Sequence, residues 1–259
     1  MAKVEILTFK DYKKAARTLL KAFDDDNVDR YLTRHLEDQP ELKEKCDLLL
    51  YEAYVYSHML KGMVVGVKGD DSENKDSFET VSIWVTPDTR DIDDYITMLR
   101  SGYAKLAWLT GAEGRRRVFH DMFRTLAENL DDIMAVDPDR DNMWTLVYLG
   151  STPKARGHGN VRAIMDYMFK NYIDPKDSIT YLESSALRNV PIYERFGFRC
   201  VADEWLGDKN ATIDKARMDV MIRGPKGKKW KFLEETRKRR GYVIPDESGE
   251  EVGKQEVTK

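Results

Sequence analysis

The loop around Gly157 and Gly159 is the part of this sequence whose residue types and spacing most clearly suggest chemistry. It lies between residues 143–149, whose apolar pattern predicts a strand, and residues 161–172, which predict a helix. Glycine lets the backbone approach a ligand closely, and the start of a helix presents unpaired N–H groups and the positive end of its dipole. Together with the charge of Arg156, the loop predicts a phosphate site. A tight strand-to-helix turn that needs glycine only for its geometry is the alternative.

The rest of the sequence alternates strand and helix patterns, which predict the frame that holds this loop. The predicted strands cover residues 4–9, 63–67, 80–85, 143–149, 179–182 and 198–202. The predicted helices cover residues 12–23, 42–60, 91–99, 113–133, 161–172 and 191–196. Strands interleaved with helices, with a hairpin near the start, predict an α/β fold with a mixed central sheet.

Composition narrows the class of protein. The 259 residues carry a net charge of −3, with 34% charged and 41% hydrophobic residues, which is typical of a globular protein rather than a strongly basic nucleic-acid binder. Cys46 and Cys200 have no partner at metal-ligand spacing, so no metal site is predicted. No apolar run approaches the length of about 18 residues that a membrane helix needs, and the N-terminus lacks a secretory pattern. We therefore expect a cytoplasmic protein without a membrane segment.

The glycine loop and its strand resemble motif A of the GCN5-related N-acetyltransferases, or GNAT family, which holds the pyrophosphate of acetyl-CoA. The residues that carry this resemblance are Trp144, Leu146, Gly150, Pro153, Arg156, Gly157 and Gly159. Residues 182–198 are similar to the corresponding stretch of puromycin N-acetyltransferase-like members, and the strand with Val81, Trp84, Thr86 and Pro87 is a further likeness. Two positions depart from the family pattern. Val161 stands where Gly or Ala is usual, and Arg156 stands where Gln is frequent.

This resemblance implies that acetyl-CoA is the co-substrate, and it assigns binding roles. The backbone of Leu149, Gly150 and Ser151 should pair with the pantetheine arm. The pyrophosphate should be held by Arg156, Gly157, His158, Gly159, Asn160, Val161 and Arg162. Asn189 should either cap the following helix or hydrogen-bond the pantetheine, and Tyr193 should lie beside the cofactor sulfur.

Tyr193 and Glu183 are the predicted catalytic residues. A tyrosine of pKa about 10 can protonate a leaving thiolate of pKa about 8.5, and a carboxylate near the amine can accept a proton from it. The alternatives are a core position for Tyr193 and a structural role for Glu183, such as a pair with Arg188. His58 and His120 lie outside the motifs, where a surface or core role is favoured.

The predicted reaction is direct transfer of acetyl from acetyl-CoA to a primary amine, most simply of a small molecule, in a ternary complex. A protein lysine or amino terminus is the alternative acceptor, and an acyl-CoA sensor without turnover is the alternative class. The acidic residues Asp24, Asp25, Asp26 and Asp29 would attract a cationic amine, although a solvated acidic turn is favoured. No nucleic-acid partner is expected, and a homodimer is left open.

The predicted organisation is one GNAT domain, residues 1–222, with a helical insertion between the hairpin and the cofactor strand. Residues 223–240 hold nine Lys or Arg against two Glu, and residues 241–259 hold five acidic residues against two Lys. This composition predicts a charged, partly flexible tail over residues 223–259, and its basic part leaves access to the nucleus open.

Overall fold

A seven-stranded sheet forms the centre of the chain in this computed structural model, which describes residues 2–69, 75–89 and 94–243. The strands are β1 (Val4–Ile6), β2 (Met63–Val67), β3 (Thr80–Val85), β4 (Met143–Ser151), β5 (Ile179–Ser184), β6 (Arg199–Gly207) and β7 (Lys215–Arg223). Their order across the sheet is β1-β2-β3-β4-β5-β7-β6, with β4 and β5 parallel and the other neighbours antiparallel. The predicted mixed α/β sheet is therefore confirmed.

Helices cover both sides of this sheet and supply the predicted insertion. They are α1 (Tyr12–Ala22), α2 (Asn27–Thr33), α3 (Pro40–Lys61), α4 (Tyr95–Ser101), α5 (Tyr103–Leu109), α6 (Gly111–Arg115), α7 (Thr125–Met134), α8 (Asn160–Met168), α9 (Val190–Glu194) and α10 (Leu233–Arg240). The wider turns of a π-helix join α6 to α7 over Arg116–Arg124. The segment from α4 to α7 lies between β3 and β4, where the insertion was predicted. Within the described ranges, no helix is both long enough and apolar enough to cross a membrane.

Side chains of β2 and β3 alternate between two hydrophobic clusters, so both faces of the sheet are covered. Val64 and Ile83 belong to a cluster with α1, α2 and α3, whereas Val65 and Trp84 belong to a cluster with α8. Strands that are buried on both faces read as continuous apolar runs, as β3 does. Helix α1 instead buries one stripe, with Ala15 and its neighbours on the sheet side.

The parallel pair β4 and β5 separates halfway along its length. Backbone pairing runs from Met143 with Ile179 to Leu146 with Leu182 and does not continue beyond them. Past this point, among the residues that the structure describes, β4 pairs with β3 alone and β5 pairs with β7 alone. A bulge at Val147 marks the same place, because Ile83 and Trp84 on β3 oppose residues 148 and 146 of β4. The sheet therefore opens between the carboxyl-terminal halves of its two parallel strands.

Strand β7 was not predicted, and β6 is longer than the predicted strand 198–202. Charged side chains interrupt the apolar pattern of β7. Asp219 is nevertheless only 1% exposed, and a 2.9 Å hydrogen bond from Arg217 compensates the burial of its carboxylate. Arg223 at the end of β7 is also buried, where it pairs with Asp174 and lies over the ring of Phe169. Because paired charged side chains can be buried, a hydrophobicity pattern does not indicate a buried strand that contains them.

Residues 223–243 of the predicted charged, partly flexible tail fold against the rest of the chain through a set of buried side chains, while many of their charged side chains stay exposed. Trp230 and Leu233 are each 2% exposed and share a core cluster with residues of α7, β5, β6 and β7. The indole of Trp230 donates a 2.6 Å hydrogen bond to Asp137. Arg239 and Arg240 of α10 both pair with Asp132 of α7 at 3.1 Å, so the basic run is neutralised by acidic partners that lie far away in sequence. Residues 244–259 of the predicted tail lie outside the described residues.

Trp230→Ala should lower the free energy of unfolding by about 3–5 kcal/mol, because it empties a core site and removes the donor to Asp137. Urea unfolding at constant pH measures this loss. Trp108→Ala is the matched control, since Trp108 is 79% exposed and its removal should change stability by no more than about 0.5 kcal/mol. Equal losses in the two variants would contradict the packed role of the C-terminal segment.

Candidate active site

A cavity of about 360 Å³ lies where β4 and β5 separate. Its strand wall includes Val147, Tyr148 and Leu149 of β4 and Leu182, Glu183 and Ser184 of β5. Its other walls come from the α1–α3 region, from the insertion between β3 and β4, and from the loop and short helix that follow β5. The volume is that of a small-molecule site. The opening of the sheet thus creates the space that the motifs surround.

The loop around Gly157 and Gly159, between the end of β4 and the start of α8, forms a cradle of backbone donors. Both glycines have positive φ, 83° and 80°, and a Cβ added to either would meet no atom within 4 Å, so the loop surface is open. Gly159 is the N-cap of α8. Among the described residues, the backbone N–H groups of residues 157 and 159–162 have no hydrogen-bond acceptor. Five unpaired donors at a helix start are suited to bind phosphate oxygens.

Side chains of the cradle differ in their orientation. Arg156 donates a 3.0 Å hydrogen bond to the carbonyl of Ala22, which holds its guanidinium beside the end of α1. His158 is exposed, and Arg162 lies over the ring of Phe196 at 5.4 Å. The three basic side chains therefore surround the loop without blocking its N–H groups.

Asn160 and Val161 turn their side chains away from the cradle. Asn160 is 3% exposed and donates a 2.7 Å hydrogen bond to Glu79, while Val161 packs against the hydrophobic cluster of α8. Only their backbone N–H groups remain for a ligand. Val161, which departs from the family pattern, therefore places its larger side chain against the core, where it does not narrow the cradle.

Leu149, Gly150 and Ser151 lie on β4 beyond the point of separation. They pair with β3 on one side, and their edge toward β5 has no strand partner in the described residues. Ser151 contacts Thr80 on β3 through a 2.9 Å hydroxyl pair. Gly150 is needed for packing, because a Cβ there would lie 2.7 Å from Ala22 and from the ring of Phe23. The free edge offers backbone groups to an extended ligand, as an unpaired sheet edge does.

Tyr193 on α9 and Asn189 before it both line the cavity. The tyrosine ring packs edge-on against Phe198, and its hydroxyl has no partner in the described residues. Burial, together with the charge of Asp26, raises the pKa of Tyr193 to about 12, so the hydroxyl keeps its proton at neutral pH. Asn189 occupies the N-cap position of α9 but makes no capping bond with its side chain, which leaves its amide available to a ligand.

Glu183 of β5 lines the same cavity, and it forms no ion pair with Arg188 within the described residues. Burial raises the pKa of Glu183 to about 7, and the nearby charge of Glu204 adds to the rise. A carboxyl group with this pKa exchanges protons readily near physiological pH.

His58 is a cavity residue that the sequence analysis treated as structural. It is 4% exposed on α3, and its Nδ1 lies 2.8 Å from the carbonyl of Tyr54, which indicates that Nδ1 carries the proton. Its Nε2 has no partner in the described residues. Burial lowers the pKa of His58 to about 4, so the ring is neutral at pH 7. Its only sequence signal was its helical spacing from Tyr54, which is too common to indicate a site. His120 is exposed and does not line the cavity.

The acidic turn divides between solvent and cavity. Asp24 and Asp25 are exposed, whereas Asp26 and Asp29 line the cavity. Asp26 caps α2 by accepting from the N–H groups of residues 28 and 29, and it also accepts from the hydroxyl of Ser185. Burial raises the pKa of Asp29 to about 8, and the charge of Asp26 contributes. The sequence interpretation of a solvated turn holds for only half of this cluster. Among the described residues, no cluster of His, Cys, Asp and Glu side chains has the arrangement of a metal site.

Comparisons with known proteins agree with this architecture, although no protein-family model matches the chain. An uncharacterized N-acetyltransferase of Schizosaccharomyces pombe is 37% identical over 216 residues, which cover 83% of this chain and 81% of that protein.

Two crystal structures show the same fold at low sequence identity. An acetyltransferase from Corynebacterium glutamicum related to histone acetyltransferase HPA2 has a TM-score of 0.53 and 20% identity, covering 87% of this chain and 97% of its own. Arylalkylamine N-acetyltransferase 2 from Aedes aegypti has a TM-score of 0.54 and 13% identity, covering 86% and 98%. The similarity to the relative from fission yeast and the shared fold together show that the chain belongs to the GCN5-related N-acetyltransferase family and is an N-acetyltransferase.

Proposed function

We propose that this protein transfers the acetyl group of acetyl-CoA to the primary amine of a small molecule, by direct attack in a ternary complex. The observation that carries the proposal is the position of Tyr193 and Glu183 in one cavity, where the two parallel strands separate. Leu149 on the free edge of β4 and Asn189 also line this cavity, so residues proposed to hold the cofactor and residues proposed to react share one space.

The residues of the cradle suit acetyl-CoA. The N–H groups of residues 157 and 159–162 would hold the pyrophosphate, with Arg156, His158 and Arg162 supplying charge around it. The backbone of Leu149, Gly150 and Ser151 would hold the pantetheine amides, and Asn189 would bind the same arm. Bound in this way, acetyl-CoA supplies an activated acyl group as a thioester.

Glu183 is the proposed base. An alkylamine of pKa about 10.4 is protonated at pH 7, and removing that proton costs about 4.6 kcal/mol. A carboxylate of pKa about 7 beside the amine can accept the proton as the nitrogen attacks the acyl carbon. His58 is a weaker candidate because its pKa of about 4 makes it a poor base at pH 7.

Tyr193 is the proposed acid. As the new C–N bond forms and the C–S bond breaks, the leaving sulfur becomes a thiolate that the tyrosine hydroxyl can protonate. The tyrosine retains its proton until that moment because its pKa is about 12. It then recovers a proton from the cavity, since the amine has released one.

Tyr193→Phe should lower kcat by roughly ten- to a hundredfold, because it removes the proton donor and keeps the ring. The assay follows thiol release from acetyl-CoA in the presence of primary amines, and the dissociation constant of acetyl-CoA should change little. Tyr12→Phe is the control, since Tyr12 lies on α1 outside the cavity. An unchanged kcat in Tyr193→Phe would remove the tyrosine as the acid, and no thiol release from the wild type with any amine would refute the proposed function.

The pH dependence tests Glu183. Activity should rise with pH through about 7 as Glu183 loses its proton, and Glu183→Gln should abolish this inflection and lower kcat/KM by roughly a hundredfold or more. Glu204→Gln should move the inflection to lower pH, because the charge of Glu204 raises the pKa of Glu183 from outside the cavity. Rates measured from pH 5.5 to 9 for the three proteins decide the matter. If the inflection persists in Glu183→Gln, another group is the base.

Gly157→Ala should weaken acetyl-CoA binding several-fold, because an L-residue at a φ of 83° is strained by about 1–2 kcal/mol and the loop must shift. Gly111→Ala provides the matched control, since Gly111 also has a positive φ, 67°, and open space around its Cβ, but lies in the insertion. Both variants should lose similar stability in urea unfolding. A dissociation constant for acetyl-CoA that changes equally in both would show that the cradle does not bind the cofactor.

A further inference from the structure

The side chains of Asp and Glu that line the cavity have no lysine or arginine beside them in its described walls. These three carboxyl groups are those of Asp26, Asp29 and Glu183. Burial raises the pKa of Asp29 to about 8 and that of Glu183 to about 7, so in the empty cavity these two groups keep a proton for part of the time at neutral pH. The charge of Arg188 reaches Asp26 from outside the cavity and does not neutralise the other two carboxylates. Buried carboxylates are costly unless a cation or hydrogen bonds compensate them. A cation bound beside these carboxyl groups would favour their ionised forms, so the walls suit a ligand that brings a positive charge.

Unpartnered polar atoms in and beside the cavity indicate a ligand independently of these charges. His58 is more than nine-tenths buried, and its Nε2 has no partner in the described chain while its ring lines the cavity. The hydroxyl of Tyr193, which lines the same cavity, also has no partner among the described residues. Native proteins rarely leave buried polar groups unsatisfied. The neutral His58 ring offers a hydrogen-bond acceptor to a donor on the bound molecule.

The insertion wall is apolar. Its side chains are Met98, Tyr103, Met122, Phe123, Leu126 and Leu130. Tyr103 and Phe123 pack edge-on against each other and against Tyr54, which builds a rigid aromatic corner. None of these residues is acidic, so a second ammonium group placed against this wall would have no counter-charge.

We propose that the acceptor is a primary amine with a single positive charge on an apolar body of about the size of an aromatic ring or a short alkyl chain. This inference rests on the proposed function and names its substrate class. The carboxylates bind the ammonium group near the point where β4 and β5 separate, and the insertion wall covers the apolar body. Diamines are disfavoured because the second charge is desolvated without a partner, and amino sugars because their hydroxyl groups lose water without replacement.

The test compares pentylamine with 1,5-diaminopentane, two amines of equal chain length that differ by one positive charge. With acetyl-CoA and the wild-type protein, kcat/KM for pentylamine should be at least about tenfold higher after correction for the two equivalent amino groups of the diamine. 2-Phenylethylamine should behave like pentylamine. A diamine that is acetylated as well as pentylamine overturns the inference and leaves the proposed function intact, whereas no thiol release with any amine overturns both.

Leu126→Glu changes the preference in a defined direction. This variant puts a carboxylate on the apolar wall, so it should raise the ratio of kcat/KM for 1,5-diaminopentane to that for pentylamine by about tenfold or more. Leu99→Glu in α4 is the control, because Leu99 is 47% exposed and does not line the cavity. Leu130→Glu provides a second variant on the same wall if Leu126→Glu unfolds. An unchanged ratio in the folded wall variants overturns the placement of the apolar body.

Discussion

Strands β4 and β5 share backbone hydrogen bonds only as far as Leu146 and Leu182, and the rest of the site depends on their separation. The separated parts of the two strands each keep backbone hydrogen bonds to another strand, because β4 pairs with β3 and β5 pairs with β7. The bulge at Val147 occurs at the same level and changes the face on which Tyr148 lies. Trp144 and Leu146 pack with α8, whereas Tyr148 packs with α3 and reaches the cavity. One local irregularity thus gives a free backbone edge, a space and an aromatic wall.

The carboxylates around this space are kept in an unusual state by burial. Asp26 has most of its hydrogen-bonding capacity used, by the N-terminus of α2 and by Ser185, and this contact joins α2 to the loop that leads into α9. Burial raises the pKa of Glu183 to about 7 and that of Asp29 to about 8, although Asp29 accepts a 3.2 Å hydrogen bond from the hydroxyl of Tyr148. Groups whose protonation changes near physiological pH are a common property of catalytic sites. Here the same burial that raises these pKa values also increases the attraction for a cation.

The sequence predicted those parts of the protein that are local in the chain. The loop of Gly157 and Gly159 between a strand and a helix is encoded by neighbouring residues, and so is the short helix that holds Tyr193. The separation of the two parallel strands was not predicted. His58 could not be assigned, because only the packed fold brings this residue of α3 into the same cavity as Glu183 of β5. Strand β7 was missed because Asp219 is buried through a pair with Arg217 rather than by an apolar side chain. The packing of residues 223–243 was not predicted because their charges find partners more than a hundred residues earlier, such as Asp132.

The ion pairs and core contacts between the C-terminal segment and α7 affect the order in which the parts of the protein fold. Leu126 and Leu130 of α7 form part of the cavity wall, and α7 is held from behind by Trp230 and by the pairs of Asp132 with α10. During synthesis the amino-terminal part of a domain emerges and begins to fold first. The residues of the donor cradle and of the separated strands have all been synthesised once the ribosome has passed β7, whereas the α7 part of the cavity wall receives its support only after α10 has emerged. The cavity therefore gains its full wall later in synthesis than the cradle gains its backbone donors.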